Sequence, residues 1–341
     1  MTNKSIVVGI THGDVNSISY EIIMKTLSDN RMMELCCPIV YGSSKVASYY
    51  RKIMTKSIDQ NFRFNIIKHA KQATLKRPNL INIMEDEIKI DIGKITPIAG
   101  ETSRLALEMA VKDAMEENID VLVTCPINKQ NVYADSFKYS GHTEYFAAAT
   151  NTHNFVMLMI ADAIRIGTIT THCPLSEVSK IITKKLIIEK LKVLNHSLIY
   201  DFGIMKPRIA VLSLNPHAGD DGLFGTEEQN IITPAIQECF DNKIYAFGPF
   251  PADGLFGSGE FKKYDAVLAM YHDQAMIPFK LLSFDEGVNY TAGLPFIRTS
   301  PAHGSAMDIA GKDMASHNSL RNAIYLACDI YKNRKSMQTA E

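Results

Sequence analysis

The sequence predicts an α/β fold, with helices layered over a largely parallel sheet. Three observations carry this expectation. Short apolar runs alternate with longer amphipathic stretches along the whole chain, the pattern of strands joined by crossover helices. No internal repeat, low-complexity segment or long Pro/Gly/Ser linker interrupts it. The length, 341 residues, is that of about two domains. Without a linker the two are expected to be closely joined, with the chain crossing between them more than once.

The elements follow in order. Ser5–Ile10 (SIVVGI) reads as a buried strand and Ser19–Leu27 as a helix. Ile39–Gly42 is a second strand, followed by a helix over Ser43–Met54. Asn65–Lys68 and Ile81–Met84 are short strands. Ser103–Glu117 is helical: Leu107, Val111 and Ala114 share one face, and Glu108 can pair with Lys112 four residues on. Val121–Thr124 is a strand, and Thr143–Ala149 begins a helix. Phe155–Ile160 and Ile164–Thr170 are strands, and Leu175–Asn195 reads as one long helix. Ile209–Leu214, Ile244–Phe247 and Ala266–Met270 are strands, while Thr226–Phe240 and Leu320–Asn333 are helices.

Composition narrows the function. Hydrophobic residues make up 46% and charged residues 21%, the balance of a globular enzyme. Thirty-six basic residues against 37 acidic ones give a net charge of -1, which argues against a basic nucleic-acid or membrane surface. The N-terminal segment lacks the apolar core of a secretion signal. No apolar run approaches the ~20 residues of a membrane span. Six scattered cysteines, none in a C-x-x-C pair, fit reduced thiols and a cytoplasmic location.

Three strands run into histidines. RIGTITTHCPL leads to His172, RIAVLSLNPHAGDDG to His217 and AVLAMYHDQ to His272. Ligands of open α/β sheets bind beyond the carboxyl ends of strands, so these ends can gather three imidazoles. Three neutral imidazoles suit a divalent metal with open positions for water or substrate. The alternative for each is a residue that caps its strand or satisfies a loop carbonyl. Asp220 and Asp221 follow His217 in a turn-rich loop, Asp253 is expected in another tight loop and Asp273 adjoins His272, with solvated turn residues as the alternative for each. A carboxylate there can orient an imidazole, complete a coordination shell or take a proton. Thr226 is expected to N-cap the following helix, with Glu228 in its first turn.

A second set of residues suits an anion. SGHTE (Ser140–Glu144) sets His142 and Thr143 at an expected helix start, where free N–H groups attract phosphate or carboxylate. Lys280, Asn289 and Arg298 follow in a Gly-dotted region. Cationic side chains hold an anionic ligand there and the amide orients it. No G-x-G-x-x-G follows the first strand; GLFGSG at Gly254–Gly259 has the wrong spacing. P-loop, G-x-S-x-G, H-E-x-x-H and kinase signatures are absent.

Taken together, VTCPINK, SGHTEYFA, THCPL, LNPHAGDDGLFGTEE, GPFPADGLF, AVLAMYHDQ and GVNYTAGLPFIRTSPAHGSAMDIAG resemble the successive blocks of the 4-hydroxythreonine-4-phosphate dehydrogenase family of vitamin B6 biosynthesis. The resemblance runs from about residue 5 to 330. It implies an isocitrate/isopropylmalate dehydrogenase-like fold, two α/β/α domains with a cleft between them. The expected domains are residues 1–128 with 282–341, and residues 129–281 carrying the metal-ligand histidines and a dimer interface. It also implies NAD-dependent (or NADP-dependent) oxidation of 4-phosphooxy-L-threonine, with decarboxylation to 3-amino-2-oxopropyl phosphate. One divalent metal (zinc, cobalt or magnesium) per active site is implied, held by His172, His217 and His272 from both subunits of a homodimer. His142, Thr143, Lys280, Asn289 and Arg298 match substrate contacts, and part of the dinucleotide site is expected within Leu294–Gly311. Asp253 or Asp273 serves as base or metal-site partner.

One block departs from the family pattern. Where the family has a Gly/Pro-rich turn, this chain reads GDVNSISYE (Gly13–Glu21), with Ser17 and Ser19 in place of glycines. Competing readings are a same-fold dehydrogenase acting on a four-carbon sugar acid phosphate or a dihydrodiol, a metal-dependent hydrolase that ignores NAD, and a non-catalytic metal- or phosphate-binding protein. A substrate panel separates the first, and stabilisation by NAD separates the second. Absence of turnover despite an intact site marks the third.

Overall fold

A computed structural model describes residues 5–54, 56–132, 139 and 141–339. Ser140 of the SGHTE stretch lies outside the described residues. The first strands in the chain are β1 (Ile6–Thr11), β2 (Cys36–Gly42), β3 (Asn65–Ile67), β4 (Asn79–Asn82) and β5 (Val121–Thr124). Then come β6 (Val156–Ala161), β7 (Ile164–Thr168), β8 (Arg208–Leu212), β9 (Tyr245–Phe250), β10 (Ala266–Ala269) and β11 (Val288–Ala292), and finally β12 (Arg298–Pro301). The chain divides into two compact units, residues 1–149 with 295–331 and residues 150–294 with 332–341.

In the first unit the strands run β3-β4-β2-β1-β5-β12, and every neighbouring pair is parallel. Strands β1, β2 and β5 are almost wholly buried, which fits a sheet covered on both faces. Capping residues begin the helices between strands. Ser43 Oγ accepts from Val46 N at the head of Ser44–Ile53. Thr96 accepts from Ala99 N at the head of Pro97–Met115, where a proline occupies the first turn.

In the second unit the order is β11-β6-β7-β10-β8-β9. Strand β6 is antiparallel to both β11 and β7, whereas β7, β10, β8 and β9 are parallel. The core is built from the strands and the inner faces of the helices; Ile166, Leu191, Val211, Leu268 and Phe279 are fully buried. No helix among the described residues is long and apolar enough to cross a membrane.

Several expectations change. The unit boundaries fall later than 128/129 and 281/282. Helix His142–Ala149 belongs to the first unit because Phe146 packs edge-on against Phe296, with ring centroids 5.9 Å apart. Residues 288–292 belong to the second because β11 pairs with β6. The stretch Leu175–Asn195 is two helices, Leu175–Ile181 and Lys184–Tyr200, broken where Thr183 caps the second through Leu186 N. Glu108 pairs with Arg104 and Lys112 with Glu116, rather than with each other. Helix His272–Leu282 was hidden by its internal Pro278, which removes one backbone donor from an otherwise helical segment.

A buried ionic knot holds the chain terminus to the second unit. Asp201, 2% exposed, accepts from Arg334 Nε at 2.6 Å, Tyr290 Oη at 2.6 Å and Ser197 Oγ at 2.5 Å. Its carbonyl accepts from Asn333 Nδ2 at 2.8 Å. Removing one partner of such a pair strands the other charge in a poorly hydrated place. Asp201→Ala is therefore expected to lower unfolding free energy by about 3 kcal/mol, measured by urea denaturation. A loss below about 1 kcal/mol, the value of an exposed pair, contradicts this reading.

Candidate functional site

In the second unit, β7 and β10 leave the sheet side by side. Ile169 N donates to Ala269 O, and both the backbone N and Oγ1 of Thr170 donate to Met270 O. This parallel exit brings His172 and His272 together, with ring centroids 6.4 Å apart. They line a cavity of about 340 Å³ with Thr171, Cys173, Tyr271 and Asp273. His272 opens its helix, and its Nδ1 lies 2.7 Å from Asp273 Oδ1. Gln274 is buried beneath them: its Oε1 accepts from Met270 N and its Nε2 donates to Ser213 O, both at 2.7 Å. The amide thereby ties the end of β10 to the segment leaving β8.

That segment carries His217 in an unusual backbone. Five consecutive residues, His217–Asp221, have positive φ (54°, 54°, 81°, 45° and 54°). Left-handed geometry costs an L-residue roughly 1–2 kcal/mol, and four of the five are not glycine. Buried Glu228 anchors the entrance to the turn. Its Oε1 accepts from Leu214 N and Asn215 N, both at 2.8 Å, and its Oε2 accepts from Asn215 Nδ2 at 2.9 Å. Thr226 does not cap the helix that follows. The backbone passes instead through a π turn, Glu228–Ile232, into Thr233–Asp241.

His217 is not among the residues lining the cavity of His172 and His272. Its ring centroid is 6.4 Å from that of Phe224. Among the described residues, no group of three metal-binding side chains is gathered within one chain. Asp253 lies exposed in the first turn of Ala252–Gly257. Lys280 is exposed in the last turn of His272–Leu282, and Asn289 stands on β11 opposite Met159. The donor set of His172 and His272, facing one cavity with a carboxylate beside it, fits a nitrogen-preferring divalent ion.

In the first unit, Arg298 begins β12 in register with Leu122 and is 2% exposed. Its Nε and Nη2 both donate to Thr124 Oγ1, at 3.1 and 2.6 Å. The Phe146 ring lies beneath the guanidinium, 5.2 Å from centroid to carbon. Burial pulls the Arg298 pKa down to about 9, with Glu144 opposing. His142, at the head of His142–Ala149, stacks on Phe146 with centroids 5.9 Å apart. Burial, then Arg298, then Lys129 hold its imidazole well below its ordinary pKa. His142 Nε2 is buried and has no hydrogen-bond partner among the described residues. Buried polar atoms are normally paired, so this nitrogen beside the buried Arg298 guanidinium is suited to a polar, anionic ligand. Thr143 is buried next to it.

Within Leu294–Gly311, β12 is followed by irregular backbone that includes Ala306 and Gly311 at positive φ. Asp313 beyond it binds back to the first helix, accepting from Lys25 Nζ at 3.1 Å and donating its N–H to Glu21. The two serines of the departing GDVNSISYE turn are hydrogen-bonded. Ser17 Oγ donates to Asp14 O at 2.7 Å and lies 2.8 Å from Ser19 Oγ; neither serine has positive φ. The residue that needs glycine here is Gly13, at φ 67°, where an added Cβ would meet Pro126 O at 2.4 Å. The serines thus replace backbone freedom with buried hydrogen bonds.

Sequence reasoning passed over Thr124, Gln274 and the bonding role of Glu228. Each sits within a few residues of a strand end, and that position was the available signal. The chain matches the family model described as pyridoxal phosphate biosynthetic protein PdxA over residues 34–327. It is 48% identical over 341 residues to a 4-hydroxythreonine-4-phosphate dehydrogenase of Bacteroides thetaiotaomicron, covering 100% of this chain and 93% of that one. A putative D-threonate 4-phosphate dehydrogenase of Oceanobacillus iheyensis is 36% identical, over 96% of this chain and 98% of the relative. The crystal structure of a 4-hydroxythreonine-4-phosphate dehydrogenase from Klebsiella pneumoniae is 34% identical, with a TM-score of 0.82, covering 97% of this chain and 99% of that one. The fold extends to an isocitrate dehydrogenase at only 10% identity and TM-score 0.50, as expected for the isocitrate dehydrogenase-like class. The chain belongs to the pyridoxal phosphate biosynthetic protein PdxA family.

Proposed function

We propose that this chain is an NAD-dependent, divalent-metal-dependent dehydrogenase of 4-phosphooxy-L-threonine, acting in a cytoplasmic pathway to pyridoxal phosphate. The observation that carries the reading is the paired set of buried Arg298 and a buried His142 Nε2 with no hydrogen-bond partner among the described residues, in a chain 48% identical to a relative with that activity in its name. In this reading a base takes the proton of the C3 hydroxyl while the hydrogen on C3 leaves as hydride to NAD, so that the C3–O bond becomes a carbonyl. The resulting 3-oxo acid then loses CO₂, leaving 3-amino-2-oxopropyl phosphate. NADP is the alternative carrier.

The residues divide the work. Arg298, held on Thr124 and Phe146, presents a fixed positive charge to an anionic group of the substrate. His142 stays neutral and offers a hydrogen bond without adding charge. Thr143, Lys280 and Asn289 complete the hold on the phosphorylated acid. His172, His217 and His272 would hold the ion, and their nitrogens suit zinc or cobalt before magnesium. When bound, the ion acts as a Lewis acid toward the substrate hydroxyl and carboxylate. Asp273 accepts from His272 Nδ1 and so leaves Nε2 as the ligating nitrogen. Asp253, exposed in the first turn of Ala252–Gly257, takes the role of base.

A homodimer completes the site in this reading, with one histidine contributed across the interface. Its support is an exposed apolar strip on and after the His272 helix: Ile277 at 61%, Leu281 at 83% and Phe284 at 80% exposed. Apolar surface of this kind marks an association face. A second substrate, D-threonate 4-phosphate, is favoured by the Oceanobacillus relative; both substrates carry a C4 phosphate and a C3 hydroxyl β to the carboxylate.

A substrate panel with NAD and added divalent metals decides between them, read by NADH absorbance. Highest kcat/KM on 4-phosphooxy-L-threonine is expected. Preference for D-threonate 4-phosphate transfers the assignment to the second substrate, and turnover without NAD reduction removes the dehydrogenase reading. The protonation of His142 gives an independent check. The unfolded chain protonates this histidine near 6.5 whereas the folded one does so only well below. Stability is therefore expected to fall as pH drops below about 6.5. Nitrogen NMR of labelled histidine is expected to find a neutral ring from about pH 8 down to about pH 6; protonation in that range contradicts the geometry.

A further inference from the structure

We infer that Glu228 is the positioning residue for His217, setting the direction of its imidazole and through it the affinity for the metal. The inference rests on the reading of His217 as a metal ligand. Three observations carry it. The turn from His217 to Asp221 is left-handed throughout, a conformation that L-residues leave unless the surroundings over-determine it. Glu228 supplies that constraint at the entrance to the turn. The buried carboxylate takes both consecutive backbone N–H groups, of Leu214 and Asn215, and the Asn215 side-chain amide.

The turn also closes against the same carboxylate. A Cβ added at Gly219 would lie 2.8 Å from Glu228 Oε2 and 3.0 Å from Gly225 O. Glu228 therefore bonds to the chain entering the turn and lies close beside its middle residue, on either side of His217 and Ala218. The π turn that begins at Glu228 buries both Glu228 and Ile232. Such irregular turns recur at functional sites, and here the irregularity aims a carboxylate at the preceding loop. Ligand orientation by outer partners typically changes metal affinity 10–100-fold.

A double-mutant cycle on zinc binding tests this, using the full chain and calorimetric titration of Zn²⁺. Glu228→Gln preserves shape but sets an amide N–H against the Asn215 donor. It is expected to raise the Kd for zinc about 10–100-fold while leaving the far-ultraviolet dichroism of the fold intact. In a His217→Ala background the same substitution is expected to change Kd by less than about twofold, because its effect passes through His217. An unchanged Kd in Glu228→Gln, or an equal loss in the His217→Ala background, overturns the inference. If His217→Ala alone binds zinc as tightly as the parent, the reading of His217 fails first. Should Glu228→Gln not fold, Asn215→Ala removes one of the three hydrogen bonds; a smaller rise in Kd is expected, and none overturns the proposal.

Discussion

The parallel strands leave polar side chains only one place to gather. Strands such as β1, β5 and β10 are buried along their length, so charge or hydrogen-bonding capacity within them is costly. At their carboxyl ends the ladder stops, and backbone donors and acceptors need new partners. Thr124 at the end of β5 takes Arg298. Thr170 and Gln274 take up Met270 after β10, and Glu228 takes up Leu214 and Asn215 after β8. The groups that finish the sheet are the same groups that orient the candidate site.

Much of the fold was legible because its signals are local. Buried strands read as apolar runs, and Ser19–Leu27 and Val121–Thr124 match their expected bounds. The elements that were not legible depend on distant partners. Strand β12 (RTSP) carries almost no apolar pattern; it exists because β5 offers a parallel edge. The His272 helix contains a proline, and the break at Thr183 is a capping decision within a continuous amphipathic run. The candidate site divides the same way. The three strand-to-histidine junctions were visible in order, but the left-handed turn at His217 was not. Histidine and aspartate visit positive φ more often than most residues, but a run of five is not predicted by residue type, and the carboxylate anchoring the turn lies eleven residues after His217.

The GDVNSISYE turn carries a related lesson. A departure from glycine suggested lost backbone freedom, yet neither serine occupies the region that demands glycine. Their hydroxyls instead satisfy Asp14 O and each other in a buried loop. On the ligand side, burial, with Arg298 beside it, holds the His142 imidazole well below its ordinary pKa.

The central claim is that the strand-end histidines bind a catalytic metal. X-ray absorption spectroscopy on zinc-loaded protein tests it most directly. The account predicts three imidazole nitrogens at about 2.0–2.1 Å with the remaining shell from oxygen. A shell without imidazole scattering, or one that includes thiolate sulfur at about 2.3 Å, would contradict it.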